Sequence, residues 1–218
     1  MTMQHRCVSD LMTRDVVRTG RDTPFKEIAK LLMEYDITAL PVVDDADRPV
    51  GVVSEADLLR KEAQQSDPAG LLPEAHAPHA DRAKAEAITA EGLMTSPAVV
   101  AHPQWSVVEA ARVMESHHVK RLPVVDDSGR LVGVISRADL LRVFLRRDSA
   151  IREEIQGDVL TRTLGLAPYS VTVHVVDGRV TLKGTVEQAN LIPVVERLCR
   201  GVDGVIDVRS DLEQKSSA

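Results

Sequence analysis

Aromatic residues are scarce in this sequence: phenylalanine, tyrosine and tryptophan make up 2% of its 218 residues. The hydrophobic cores must therefore be built from aliphatic side chains and methionine. The same scarcity argues against a nucleic-acid surface on which bases stack on aromatic rings. A net charge of −6 gives no global attraction to nucleic acid or to anionic lipid. We therefore expect a globular protein that binds neither nucleic acid nor membranes.

Cysteines are few, and long apolar runs are absent. The only two cysteines, Cys7 and Cys199, lie far apart in the sequence, so a disulfide framework is not supported and a reducing cytoplasm is expected. The N-terminal residues contain no apolar stretch typical of a signal peptide. No run of about 18 apolar residues occurs, so no membrane-spanning helix is predicted.

Catalytic and metal-binding motifs are absent as well. The sequence contains no nucleophile elbow, no P-loop and no glycine-rich dinucleotide fingerprint. His117 and His118 are adjacent at a predicted helix end, and no cysteine or carboxylate completes a ligand set around them. We expect a non-enzymatic protein with no metal site and no obligatory cofactor.

What the sequence does contain is an internal repeat. Several segments recur at a single offset of about 82 positions, without a gap, which indicates a duplication. The recurring segments are Leu11-Met12-Thr13 with Leu93-Met94-Thr95, Leu40–Asp45 with Leu122–Asp127, Val50-Gly51-Val52 with Val132-Gly133-Val134, and Ala56–Arg60 with Ala138–Arg142.

Each copy predicts the same succession of elements. A short strand precedes a helix with apolar residues at helical spacing, and two short apolar strands joined by an Asp-Asp turn lead into a second helix. A sheet of so few strands with its helices cannot bury its apolar face alone, so the two copies must pack against each other. The predicted strands are Val16-Val17, Leu40–Val43 and Val50–Val53 in the first copy, and Val99-Val100, Leu122–Val125 and Leu131–Ile135 in the second.

The doubled pattern LMT…LPVVDD…GVVSEADLL and LMT…LPVVDD…GVISRADLL resembles a pair of CBS (cystathionine β-synthase) domains. The resemblance implies an α/β fold of two βαββα repeats, residues 8–62 and 89–147, packed as a pseudo-two-fold pair. It also implies a homodimer. Residues 63–88 are predicted to be a surface linker in which 81–88 could form a short helix.

The C-terminal third has a different pattern. A helix over Ile151–Leu164, a hairpin turning at Asp177-Gly178, a helix over Ala189–Cys199 and a strand over Val205–Leu212 give the order αββαβ. The run VTVHVVDGRVTLKGTV resembles a BON domain, a small bacterial module, over residues 150–214. That family has been proposed to bind phospholipid. Because this segment has no surplus of positive charge, we expect it to bind a protein partner.

Ser54 and Asp57, with their copies Ser136 and Asp139, are the strongest candidates for a binding site. Each pair lies at the start of a predicted helix, where free N–H groups and the helix dipole favour an anion. Resemblance to the CBS family implies that Ser contacts a phosphate and Asp the ribose of an adenine nucleotide. The alternative is a capping box with no ligand.

Lys120 and Arg121 distinguish the two copies, because Thr38 and Ala39 occupy the equivalent positions in the first. Basic residues at this place reach nucleotide phosphates in the family. We expect a phosphate-bearing ligand to prefer the cleft that Lys120 and Arg121 line, with Thr38 also among the ligand-binding residues. The sequence leaves open which cleft that is, and the alternative is a solvated start of a strand.

Together these features predict a regulatory protein that binds AMP, ADP, ATP or S-adenosylmethionine between its repeats. The ligand would shift the relative orientation of the repeats, and the C-terminal domain would relay that shift to an unknown protein partner. The alternative is a ligand-free dimerisation scaffold, with the C-terminal domain docked elsewhere or associated with a membrane.

Overall fold

The computed structural model describes residues 6–63, 84 and 86–215. These form two compact units, one of residues 7–137 and one of Arg6 with residues 138–215. Most of the predicted linker lies outside the described residues. Of its expected short helix over 81–88, Lys84 and Glu86 are helical, Ala87 and Ile88 are not, and residues 81–83 and 85 lie outside the description. No described helix is long and apolar enough to cross a bilayer.

The first copy of the repeat forms a three-stranded sheet in the order β1-β2-β3 with helices beside it. Helix α2 buries Ile28 and Leu32, one turn apart on the face towards the sheet. The prediction of a strand at Val16-Val17 is wrong. The chain pairs in parallel with β2 two residues further on, at Thr19–Gly20. The elements are α1 (Val8–Leu11), β1 (Thr19–Gly20), α2 (Phe25–Glu34), β2 (Ala39–Val43), β3 (Pro49–Ser54) and α3 (Glu55–Ala63).

The second copy repeats this arrangement at the predicted offset. Its β4 and β5 pair antiparallel in the register of β2 and β3. The predicted strand at Val99-Val100 is reduced to one parallel bridge between Ala101 and Val124. The elements are α4 (Ala90–Leu93), α5 (Val107–Ser116), β4 (Arg121–Val125) and β5 (Leu131–Ser136), followed along the chain by α6 (Arg137–Leu141).

The copies are joined by exchange of their leading segments. Thr13, near the start of the first copy, bridges to Val134 of the second, and Thr95, near the start of the second, bridges to Val52 of the first. Two further bridges, Cys7 with Ser106 and Thr89 with Pro24, obey the same symmetry. The core of the first copy accordingly includes residues that lead the second: Ala90, Leu93 and Met94. The predicted pseudo-two-fold pairing is confirmed.

The C-terminal unit has the predicted αββαβ order. Its sheet runs β6-β7-β8, with β6 antiparallel and β8 parallel to β7. The first helix begins three residues earlier than predicted and its second half is a π-helix. The elements are a 3₁₀ turn (Arg142–Leu145), α7 (Asp148–Glu154) continued by the π-helix (Ile155–Thr163), β6 (Val171–Val176), β7 (Arg179–Val186), α8 (Leu191–Arg200) and β8 (Asp207–Gln214).

Candidate functional site

A cleft of about 390 Å³ opens between the two copies of the repeat, within the first unit. Its volume lies in the range usual for small-molecule sites, about 300–1,000 Å³. Its walls combine charged and polar groups with apolar ones. The first copy contributes Thr38, Ser54, Asp57 and Arg60; the second contributes His117, His118, Lys120 and Arg121; and Val52, Pro97 and Val99 supply apolar surface.

Ser54 and Asp57 lie at the end of β3 and in the first turn of α3. The Ser54 backbone N–H and hydroxyl both donate to Asp57 Oδ2, over 3.0 and 2.5 Å. This is the part of a capping box in which the third helical residue reaches back to the cap. Asp57 is only 4% exposed, and a buried carboxylate needs hydrogen bonds and cations around it.

Two cations satisfy the other oxygen of the same carboxylate. Arg60, one turn further along α3, donates to Asp57 Oδ1 over 2.9 Å. Lys84, from the segment before the second copy, places its Nζ 3.0 Å from that oxygen and 2.8 Å from Thr95 Oγ1. Lys84 could not be predicted from the sequence, because it lies outside the repeated segments. The position 82 residues earlier is Thr2, so the duplication offers no signal for it.

Arg121 crosses from the second copy to the first. Its guanidinium donates to the Ala39 carbonyl over 2.9 Å and to the Thr38 hydroxyl. Lys120, the preceding residue, is exposed and lines the same cleft. Lys120, Arg121 and Thr38 therefore share one cleft with Ser54 and Asp57, which answers the question that the sequence left open.

The second copy's pair is not part of this cleft. Ser136 ends β5, and Asp139, in α6, is 8% exposed. Arg142 places its guanidinium 3.4 Å from Asp139 Oδ1. This contact repeats the pairing of Asp57 with Arg60 at the same offset, so the acid–arginine pair belongs to the repeat itself.

Two histidines lie among the residues that line the cleft. His117 and His118 are both exposed, and His117 Nδ1 lies 3.0 Å from the Ser116 hydroxyl and 3.1 Å from the Val113 carbonyl. Within the described residues, no group of three or more histidine, cysteine, aspartate or glutamate side chains is arranged to hold a metal ion. Because both histidines line the cleft, they are also placed to contact an organic ligand.

Comparison with known families identifies both parts of the chain. The CBS domain family matches residues 8–63 and 90–146, and the BON domain family matches residues 147–216. An uncharacterised protein of Methanopyrus kandleri is 28% identical over 154 residues, which are 71% of this chain and 70% of that protein. A homoserine O-acetyltransferase of Methanohalobium evestigatum is 28% identical over 141 residues, 65% of this chain but only 24% of that enzyme.

Two solved structures similar to this chain hold adenine-containing ligands. CBSX2 of Arabidopsis thaliana, in complex with AMP, has a TM-score of 0.55 and 30% identity, covering 64% of this chain and 96% of its own. The CBS domain pair of protein MJ0100, in complex with 5′-methylthioadenosine and S-adenosyl-L-methionine, has a TM-score of 0.52 and 26% identity. It covers 65% of this chain and 97% of its own.

Proposed function

We propose that this chain, which belongs to the CBS domain family and carries a BON domain at its C-terminal end, is a non-enzymatic sensor of adenine nucleotides. The observation that carries the proposal is the convergence of Ser54 and Asp57 from one copy with Lys120 and Arg121 from the other on one cleft. AMP, ADP, ATP and S-adenosylmethionine are the candidate ligands. The ligand-bound relatives described above support this class.

The chemistry of the cleft suits the three parts of a nucleotide. The carboxylate of Asp57 is an acceptor for sugar hydroxyls once a protein donor gives up its place. The exposed ammonium of Lys120 and the N-terminal end of α3, a nine-residue helix, favour a phosphate. Val52, Pro97 and Val99 offer apolar surface to a purine ring. The sugar, the phosphate and the purine ring of the ligand would thus each meet cleft residues of matching chemistry.

Regulation requires the ligand to favour one arrangement of the repeats over another, since a ligand that binds both equally shifts nothing. A cleft built from two copies meets this requirement, because the ligand would contact both at once. In the proposed function the BON domain passes the change to a protein partner. The protein would act as a homodimer in the cytoplasm, and Ser136 with Asp139 would serve a second, weaker site.

A ligand-free scaffold is the second candidate, and two observations favour it. Asp57 already accepts four hydrogen bonds from protein donors. Arg121 already donates to the Ala39 carbonyl and to Thr38. In a scaffold these polar groups would only hold the copies together, and the C-terminal domain would dock on a protein or a membrane.

Thermal unfolding with AMP, ADP, ATP and S-adenosylmethionine separates the two candidates. A ligand at a hundredfold excess over its Kd adds about 2.7 kcal/mol of stability, a rise of several degrees in Tm. Asp57→Asn should reduce that rise by about half or more, because a tenfold weaker Kd leaves about 1.4 kcal/mol of the stabilisation. Asp45→Asn, which removes the same charge from an exposed turn residue, should keep it. No rise with any adenylate would leave the scaffold as the function.

A further inference from the structure

The hydrogen-bonding capacity of the Asp57 carboxylate is already filled. A carboxylate accepts about four hydrogen bonds, two at each oxygen. Oδ2 receives both donors of Ser54, and Oδ1 receives Arg60 and Lys84. A ligand whose sugar hydroxyls are to reach Asp57 must therefore replace one of these donors.

Lys84 is the donor that ties Asp57 to another cleft-lining residue. Its Nζ bridges Asp57 and Thr95, two residues that both line the cleft, so the ammonium lies between cleft-lining groups. Its side chain is 20% exposed, whereas that of Arg60, which also lines the cleft, is 41% exposed and therefore less confined. The donors of Ser54 are held by the backbone at the start of α3.

Lys84 also differs from Arg60 in its relation to the repeat. Arg60 recurs as Arg142, which contacts Asp139, so an arginine beside the aspartate is common to both copies. The position equivalent to Lys84 is the uncharged Thr2. The lysine is thus a feature of the Asp57 cleft alone.

We infer that Lys84 competes internally with the sugar hydroxyls of the ligand, so that it sets the affinity of this cleft. The inference rests on the proposed function. Binding then consists of an exchange, in which one sugar O–H donor takes the place of the ammonium on Asp57 Oδ1, and Lys84 leaves its contact with Thr95. The alternative role for the same residue is a phosphate contact, which would strengthen binding instead of opposing it.

Adenosine and AMP distinguish competition from phosphate binding, since they share the sugar and differ in the phosphate. Lys84→Met should tighten the binding of both ligands to the full-length protein by a similar factor, about tenfold or more, as expected when a charged hydrogen bond no longer has to be broken. Titration calorimetry measures both Kd values. Arg60→Met should not tighten either, and Lys30→Met, a change of equal charge on the exposed face of α2, should change neither.

Three results would overturn the inference: weaker binding of AMP alone by Lys84→Met, tighter binding by Arg60→Met instead, or equal Kd values in Lys84→Met and wild type. If neither protein binds any adenylate, the proposed function itself fails and the inference with it. Weaker binding of AMP alone would place the ammonium on the phosphate.

A second measurement follows the lysine directly. Acetylation of individual lysines, read by mass spectrometry, should modify Lys84 faster when adenosine is bound and faster in Asp57→Ala. The rate at Lys30 should stay constant in both cases. Slower modification of Lys84 with adenosine bound would contradict the exchange, even if the affinities change as expected.

Discussion

Met94 packs its thioether against Gly51, across the boundary between the two copies. A Cβ at Gly51 would lie 2.4 Å from the Met94 sulfur, and one at Gly133 would lie 2.5 Å from the sulfur of Met12. The two contacts are equivalent under the repeat offset. A glycine in the middle of β3 and of β5 therefore makes room for the leading segment of the other copy.

Gly51→Ala should destabilise the first unit by about 1–3 kcal/mol, because the added methyl forces Met94 and its backbone to move. Urea unfolding followed by circular dichroism measures the loss. Gly20→Ala is the control, since a Cβ there would meet only the Thr23 hydroxyl at 4.0 Å. Equal stability of the two variants would show that the segment is loosely held.

Arg121→Ala and Lys120→Ala should separate stability from phosphate binding. Arg121 holds the Ala39 carbonyl and Thr38, so its loss should lower the Tm by several degrees, as a charged hydrogen bond contributes about 1.5–3 kcal/mol. Lys120 is exposed, so its loss should leave the Tm unchanged. It should weaken the binding of AMP without affecting adenosine. Unchanged AMP binding in Lys120→Ala would contradict its proposed role.

Asp57→Asn should weaken adenylate binding more than Asp139→Asn does. Only Asp57 shares a cleft with Lys120 and Arg121. Titration calorimetry should show a loss of about tenfold or more for Asp57→Asn and a smaller change for Asp139→Asn. The reverse order would move the principal site to the second pair.

The pH dependence of stability should include a contribution from Asp126 in the turn between β4 and β5. The hydroxyl of Ser128 and then the backbone N–H of Arg130 hold the pKa of Asp126 below its ordinary value. A lowered folded-state pKa adds stability above the unfolded value near 3.9, and that stability is lost as the pH falls through the folded value. Asp126→Asn should therefore flatten the decline in stability between about pH 5 and pH 2, measured by urea unfolding at each pH.

Asp127→Asn is the matched control for that experiment, because it removes the same charge from the exposed neighbouring residue. Its stability should decline with falling pH as the wild type does. A decline of equal steepness in Asp126→Asn would contradict the contribution assigned to this turn.

Cys199 should resist thiol reagents in the folded protein. Burial in α8 against the C-terminal sheet raises the pKa of its thiol to about 12, and the protonated thiol is unreactive. At pH 8 a Cys7→Ser variant should therefore show no fast reaction with a disulfide reagent until denaturant is added. Rapid reaction of the folded variant would indicate that the C-terminal unit opens readily.

Much of the fold could be predicted from the sequence because its signals are local. The apolar runs joined by Asp-Asp turns predict the β2-β3 and β4-β5 hairpins, and Asp177-Gly178 predicts the turn between β6 and β7. The exchange of leading segments could not be predicted. The repeat places Thr13 and Thr95 near the start of each copy, but it does not show which copy's strand each threonine pairs with.

The candidate site was predictable to the same extent. Their position at the start of a predicted helix and the family resemblance both point to Ser54 and Asp57, which lie within hydrogen-bonding distance of each other. The cleft that Lys120 faces depends on how the copies pack, so the sequence alone could not decide it. Lys84 acts across 27 residues in the chain and belongs to no repeated pattern.

The exchange of leading segments at Thr13 and Thr95 suggests how a chain of this kind can arise from a shorter one. In a polypeptide with a single copy, the same pairing would need the strand of a second polypeptide, as in domain swapping. Tandem duplication makes that assembly intramolecular, so its formation no longer depends on protein concentration. Within one chain, a substitution in one copy, such as a lysine without a counterpart, changes that half and leaves the other as it is.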